Sequence, residues 1–343
     1  MTKHKNRILQ LLFIFLIITL TIWIVFQNND WHSIKQIFSS LHPLWLLSAC
    51  VCWFISSLLD GLVLNCFLKS HSYHLSVRNA LYISLIGSFY SAITPGASGG
   101  QPMQIYYFSK RGIPVGVSTS AISLRFVLSQ FSAVVVSLVL GIVCRHLITS
   151  QLSGVQWLII VGWIIHLSGM ILILLATFFK TALQKLAKRI IHIGAKLCLI
   201  RDPEAVSIKL NDWIETYHEN VRSACRHPTQ LLCPFLLTTA SLFLMMLIPF
   251  CVYQAFGLNN SSWLHLIVIA YMLYLSASYN PLPGASGAQE GGFLVFFRGI
   301  FPEGQISIAM LLWRFFSYYL YLIAGAGLLL IRTLRSLAKQ KST

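Results

Sequence analysis

Pro95-Gly96-Ala97-Ser98-Gly99-Gly100-Gln101 returns, with one change, as Pro283-Gly284-Ala285-Ser286-Gly287-Ala288-Gln289. Further along the first copy stands Arg111-Gly112-Ile113-Pro114, and along the second Arg298-Gly299-Ile300-Phe301-Pro302. Leu124-Arg125-Phe126 and Trp313-Arg314-Phe315 then follow at nearly equal offsets. Three landmarks in one order read as an internal duplication. Proline removes a backbone donor and glycine admits left-handed backbone, so each copy interrupts any helix that reaches it.

The surroundings of the turns decide what the interruption means. Of 343 residues, 56% are hydrophobic and only 10% charged, with a mean hydropathy of +0.73; a soluble domain carries about a quarter charged residues. A bilayer core about 30 Å thick takes roughly 20 apolar residues per helix. Six runs qualify, at 8–26, 44–68, 117–143, 155–179, 231–256 and 306–331. Two shorter runs, 80–94 and 264–279, end at the Pro-Gly turns. The first run follows Lys3, Lys5 and Arg7, is too long for a signal-peptide core and lacks a small-x-small cleavage site, so a retained helix is expected.

Charge orients these segments. If each broken run crossed the membrane once, Lys110, Arg111 and the basic interval 180–226 would lie outside, against the positive-inside bias. If each is a re-entrant hairpin, Lys69, Arg78, Lys110, Arg111, the 180–226 interval and the 332–341 tail all lie inside, leaving Lys35, Arg145 and Arg298 outside. Length agrees, since 80–94 as a helix is only about 22 Å long. The expectation is an all-α polytopic membrane protein with about six full transmembrane helices and two re-entrant hairpins. These form an inverted-topology repeat of about eight hydrophobic segments, with both termini cytoplasmic, as in many secondary transporters. The chain 1–343 reads as one membrane domain, with a first repeat at 79–145, a cytoplasmic amphipathic helical connector at 180–229 and a second repeat at 264–332. Within the connector, Leu183, Leu186, Ile190 and Leu197 face one way and Lys185, Lys188, Arg189 and Lys196 another, a pattern suited to an anionic surface. Asp202-Pro203-Glu204 is the start signal of its second helix, whose apolar face carries Val206, Leu210, Trp213, Tyr217 and Val221.

Irregular backbone cannot face lipid, because each unpaired N–H or C=O costs several kcal/mol. The turns must therefore be buried in protein or line a wet cavity. The expected substrate cradle comprises Pro95, Gly96, Ser98, Gly99, Gly100 and Gln101 opposite Pro283, Gly284, Ser286, Gly287, Gln289 and Glu290. Helices starting near Pro102 and Gln289 would aim partly positive N-termini into it. The alternative for such turns is a packing device, in which small residues let helices cross closely. Arg125 and Arg314 lie well inside apolar runs and need a partner or a watery cavity. Glu290 and Asp60 are the candidate intramembrane acids; an arginine paired with Glu290 to stabilise the hairpin is one reading, and a phosphate-binding arginine fork is the other. Asp60, near the inner end of its helix, is also placed to reach interfacial water.

No catalytic or metal constellation emerges. His71 and His74 have no carboxylate or cysteine beside them, and His166 is isolated on an apolar run. The eight cysteines are scattered, mostly in apolar runs, and read as packing. There is no Walker loop, no HExxH and no Ser/His/Asp arrangement, so no cofactor is expected. The net charge of +16 is the positive-inside bias and not a nucleic-acid surface.

The two turns with their flanks, 84–125 and 280–314, resemble the lysylphosphatidylglycerol synthase transmembrane family, also called flippase-like integral membrane proteins. The resemblance rests on the Pro-Gly-Ala-Ser-Gly-Gly turn at 95–100 and the Pro-Gly-x-x-Gly-x-x-Glu turn at 283–290, and extends in spacing and order over most of the chain. It implies movement of aminoacylated phosphatidylglycerol, or another lipid with a polar or anionic headgroup, across the bacterial cytoplasmic membrane. Membrane phospholipids are the expected partners, with a separate lipid synthase as a candidate; the oligomeric state is left open. Family naming points instead to an enzyme, a phosphatidylglycerol lysyltransferase linked to resistance to cationic antimicrobial peptides. No stretch of this sequence resembles the tRNA-dependent transferase domain, so the expectation leans away from an enzyme. A non-transporting partner of a lipid synthase is the third reading.

Overall fold

The computed structural model describes residues 31–70, 72–196 and 202–341. The run expected at 8–26, its flanking basic residues, His71 and Leu197 lie outside them. All regular structure among the described residues is helical. Among the described residues, five stretches are long and apolar enough to cross a membrane: Pro43–Lys69, Val115–Val143, Gln156–Ile173, Thr229–Ala255 and Ile306–Arg335. The chain is therefore an all-α polytopic membrane protein.

A short α1 (Trp31–Ser40) leads into α2 (Pro43–Lys69). The first hairpin is α3 (Val77–Ile93), a tight turn Pro95–Ala97, and α4 (Gly100–Ser109). Then come α5 (Val115–Val143), the short α6 (Arg145–Gln151) and α7 (Gln156–Phe178). The connector forms two helices, α8 (Lys180–Lys196) and α9 (Pro203–Arg226), the latter starting at the proline that the sequence marks. After α10 (Thr229–Ala255) the second hairpin is α11 (Trp263–Ala277), a turn Pro283–Ala285, and α12 (Ala288–Phe296). The run expected over 306–331 is one continuous spanning helix whose winding widens partway: α13 (Ile306–Arg314) passes through a π segment, Phe315–Tyr319, into α14 (Leu320–Lys341).

Both turns use the same backbone trick. Gly96 (φ +58°) and Gly284 (φ +62°) are left-handed, and so are the alanines after them, Ala97 (φ +54°) and Ala285 (φ +51°). A left-handed non-glycine residue costs roughly 1–2 kcal/mol, so strain is stored at the same place in each copy. Such strain persists only where the surroundings over-determine it. The glycines also act as the packing reading requires. A Cβ on Gly100 would sit 2.0 Å from Ser91 Oγ and 2.6 Å from the Gly87 carbonyl oxygen, so α3 and α4 can close on each other only with hydrogen there.

The hairpins enter the bundle from opposite ends, and α2 is the ruler that shows it. The mouth of the first is tied to the end of α2: Asn65 Nδ2 donates to the Leu75 carbonyl (3.0 Å), and the Leu75 N–H donates back to Asn65 Oδ1 (3.1 Å). The mouth of the second is tied to the beginning. Tyr253 accepts from the Ser261 N–H (3.0 Å) and its ring meets Phe301, while the His42 N–H, just before α2, donates to the Ala255 carbonyl (2.8 Å). His42 and Asn65 lie about 34 Å apart along a helix rising 1.5 Å per residue. The tips meet between them, where the Gly96 N–H donates to the Pro281 carbonyl at 2.8 Å.

The packing follows burial. Leu266, Ile267, Val268, Ile269, Ala270, Tyr271, Met272 and Leu273 are consecutive and all buried, so α11 is enclosed on every side, as a helix apolar all round should be. Its hairpin partner stacks Phe293 between Phe297 (centroids 4.3 Å) and Trp313 (5.0 Å). Around this core Leu44, Ile142, Trp157, Ile164, Leu172 and Leu330 are exposed, an apolar girdle that suits hydrocarbon. The connector docks against the start of α5, where Asn220 Nδ2 donates to Ser120 Oγ (3.2 Å) and Ile214, Tyr217 and Val221 are buried.

Candidate functional site

The tips, α5 and the π segment enclose a cavity of about 490 Å³. Of the residues expected in the cradle, Gly96, Gly100, Gln101, Arg125, Gly284, Gln289 and Arg314 line it. Pro95, Ser98, Gly99, Pro283, Ser286, Gly287, Glu290 and Asp60 do not. The reason is local. Each serine hydroxyl turns back to its own turn, Ser98 Oγ donating to the Pro95 carbonyl (2.9 Å) and Ser286 Oγ to the Pro283 carbonyl (2.8 Å). The Gly99 N–H is taken by Thr94 Oγ1 (2.8 Å). The turns thus satisfy most of their own polar groups. The helices after them begin at Gly100 and Ala288, just before the expected Pro102 and Gln289.

Arg314 is the most enclosed charge. Its Nε donates to Glu290 Oε1 (2.7 Å), and an Nη donates to the Gly284 carbonyl (3.0 Å) and, at 3.5 Å, to Ser286 Oγ. The other Glu290 oxygen accepts the Gly287 N–H (2.7 Å), capping α12. The two side chains are only 4% and 6% exposed, so this pair braces the second turn from inside. Tyr318 lies one helical turn beyond Arg314, inside the π segment. Its ring sits 4.6 Å under the guanidinium, and its hydroxyl donates to the Ala92 carbonyl of the first hairpin (3.1 Å). π segments recur at functional sites because the extra residue re-aims side chains.

The first copy is built differently. Where the second has Glu290, the first has Pro102, so Arg125 finds no acid within its own repeat. Arg125 pairs instead with Asp60 of α2 (3.0 Å), whose other oxygen accepts from Ser241 of α10 (3.4 Å). Asp60 is therefore an ion-pair partner and not a free interfacial acid. These side chains are 24% and 32% exposed, far more open than the Arg314 pair, and Arg125 faces the cavity.

Sequence reasoning missed Tyr318, Asn280 and Thr94. Asn280 Nδ2 donates to the Ser286 carbonyl (3.1 Å) and its Oδ1 accepts from the Leu282 N–H (3.0 Å), so it staples the loop before the second turn. Tyr318 had a signal, its spacing of four from an intramembrane arginine; Asn-Pro before the turn was another. His166 is buried with both ring nitrogens unpaired, its ring beside Tyr274 and Tyr279 (4.8 Å to the latter). No group of three or more metal-ligating side chains occurs among the described residues.

Two broken hairpins that enter from opposite ends and meet at strained tips, with an ion-paired arginine behind each, define a class of polytopic α-helical membrane protein with a central discontinuous-helix site. The sequence matches the family described as the lysylphosphatidylglycerol synthase TM region over residues 8–325, and the chain belongs to that family. It is also similar to a UPF0104 membrane protein of Archaeoglobus fulgidus, 21% identical over 308 residues that cover 89% of this chain and 88% of the relative. The chain is thus a multi-pass membrane protein of a family named for lipid synthesis.

Proposed function

We propose that the chain moves a phospholipid with an anionic or aminoacylated headgroup across its membrane, with the headgroup held between the two hairpin tips. The observation that carries this is the difference between the two arginines. Both line the 490 Å³ cavity, but Arg314 is locked to Glu290 and the Gly284 carbonyl, whereas Arg125 sits in a pair left a quarter to a third exposed. A headgroup phosphate can therefore compete with Asp60 for the Arg125 fork without unbracing the second turn. The cavity walls combine Arg125, Gln101, Gln289 and Asn280 with Leu242, Met245 and Phe126, a polar end for a headgroup and apolar surface for the first carbons of its chains. The glycines at the tips bring backbone within reach of a ligand. Without a nucleotide-binding motif, movement would be passive or driven by a gradient or potential. The bacterial cytoplasmic membrane is the proposed location.

The test is reconstitution into vesicles holding a tail-labelled fluorescent phosphatidylglycerol, bleached from outside by an impermeant reductant. Wild type should bleach inner-leaflet lipid that protein-free vesicles protect. Arg125→Gln combined with Asp60→Asn removes both charges, strands neither, and should restore protection. Full exchange by that variant, or none by wild type, refutes the assignment.

A further inference from the structure

At the mouth of the first hairpin, away from the central cavity, four cations converge. Lys110, Arg111, Arg332 and Arg335 line one hollow of about 380 Å³ together with Tyr82 and Leu328. They come from the α4–α5 turn and from α14, which approach each other here across more than two hundred residues of sequence. Among the described residues, no carboxylate lines the hollow and no acid forms an ion pair with any of the four.

Positive-inside bias accounts for basic residues near this end of the bundle. It does not account for their convergence or for their fixed orientation. The Arg111 guanidinium lies 5.3 Å from the Tyr82 ring centroid and donates to Asn79 Oδ1 (3.1 Å) and the Tyr107 carbonyl (3.0 Å). Arg332 lies 4.9 Å from the Tyr107 ring and donates to Tyr82 Oη (3.4 Å). Aromatic faces hold both planar forks in place, and the half-buried setting of Arg111 strengthens any charge-assisted bond it makes. Like charges gathered without a counter-charge raise one another's energy. Burial is the main reason the Arg111 guanidinium lies below its ordinary value, with the Arg332 charge a minor one.

We propose that this hollow binds a phosphate-bearing anion, the phosphate oxygens bridging Arg111 of the first hairpin to Arg332 of α14. Two sources share that chemistry, the headgroup of an anionic lipid and a free phosphate compound. The hollow lies where the apolar spans end, the level at which headgroups lie, and basic pockets between helices take anionic headgroups. The bound anion would replace mutual repulsion with a shared partner and tie the last helix to the first hairpin. The site stands whether or not the central cavity transports lipid.

The experiment is thermal unfolding of the purified full chain in neutral detergent, titrated with dioctanoyl-phosphatidylglycerol, dioctanoyl-phosphatidylcholine or inorganic phosphate. Phosphatidylglycerol should raise Tm saturably and phosphatidylcholine should not. The paired change Arg332→Gln with Arg335→Gln should weaken the apparent affinity by about tenfold or more, the worth of a lost charge-assisted bond. Exposed Lys110→Gln is the second variant, expected to weaken it less, and Arg298→Gln at the opposite end should leave it unchanged. Stabilisation by phosphate at matching concentration assigns the site to small anions; stabilisation by the lipid alone assigns it to a headgroup. No response in wild type to either ligand, or a response unaltered in both hollow variants, overturns the proposal.

Discussion

Glu290→Gln should be among the most damaging single-atom changes this chain can undergo. The carboxylate makes two bonds of 2.7 Å, one from Arg314 Nε and one from the Gly287 N–H. A glutamine presents one carbonyl oxygen and an NH₂ group in its place. It can keep one of those donors, and its own N–H groups then face the other. Arg314 is left charged, 3% exposed and without a counter-ion. Removing one partner of a buried pair costs about 3–5 kcal/mol. The comparison that isolates the argument is Asp60→Asn. It breaks a pair whose side chains are 24% and 32% exposed, and pairs open to solvent are worth up to about 1 kcal/mol. The two variants should therefore differ by roughly 2 kcal/mol or more. Reversible unfolding in mixed micelles, followed by tryptophan fluorescence, measures this directly, since Trp313 adjoins Arg314. Glu290→Leu combined with Arg314→Met should recover part of the loss, because no charge is then stranded. The recovery is incomplete because the Gly284 carbonyl loses its donor. Equal cost for Glu290→Gln and Asp60→Asn, or a double variant worse than the single one, would show that the buried pair is not the brace described above.

The twin turns make three further predictions. A Cβ on Gly284 would land 2.2 Å from Tyr318 Cε2, whereas a Cβ on Gly96 meets nothing within 4 Å. Gly96→Ala should therefore cost only the left-handed strain of about 1–2 kcal/mol, and Gly284→Ala clearly more, as read from the same unfolding curves. Ala97→Gly and Ala285→Gly relieve native strain of that size while loosening the unfolded chain by about 0.4–1 kcal/mol. Each should be neutral or stabilising, the reverse of Ala→Gly inside a helix; a loss above about 1 kcal/mol would contradict the strain argument. Lys110→Cys and Arg298→Cys, labelled in intact cells with an impermeant thiol reagent against a background without exposed Cys233, should react from opposite faces. Labelling of both from one face would remove the inverted arrangement.

Much of this was legible because a Pro-Gly pair opens a turn and a membrane arginine needs a partner, whereas lone prolines such as Pro234 and Pro249 sit inside the continuous α10. Pro95, Gly96, Pro283 and Gly284 announced the breaks, and Arg125 and Arg314 the ion-paired charges within the bundle. The short runs at 80–94 and 264–279 announced helices that stop partway. The pairing of an arginine with Glu290 was legible and is met by Arg314; the partner of Arg125 was not, because it depends on which helices become neighbours. Asp60 and Arg125 are separated by 65 positions and meet only because α2 packs beside α5. The widened segment Phe315–Tyr319 left no mark either, since Phe-Phe-Ser-Tyr-Tyr is an ordinary membrane sequence. Its consequence, Tyr318 beneath Arg314 and bonded to the opposite hairpin, appears only in three dimensions.

The duplication is informative mainly where it fails. Had both copies carried the acid of the second, each arginine would be sealed within its own repeat and the centre would hold two rigid braces. Pro102 in place of a glutamate removes that option from the first copy. A proline there also suits the opening turn of α4, where its missing N–H has no helical acceptor to lose. The substitution thus shortens the list of donors at the first tip while leaving its arginine to find an acid from another helix. Asp60, reached across the bundle and shared with Ser241, is a looser partner than one fixed three residues from a turn. One repeat consequently carries a sealed ion pair and the other a more open one. Restoring symmetry, by Pro102→Glu with Asp60→Asn, should pull Arg125 into its own repeat and close the cavity's polar end. In the vesicle assay such a chain should fold, as judged by its unfolding curve, yet leave inner-leaflet lipid protected. Exchange at the wild-type rate would mean that the asymmetry between the two arginines has no part in what this protein does.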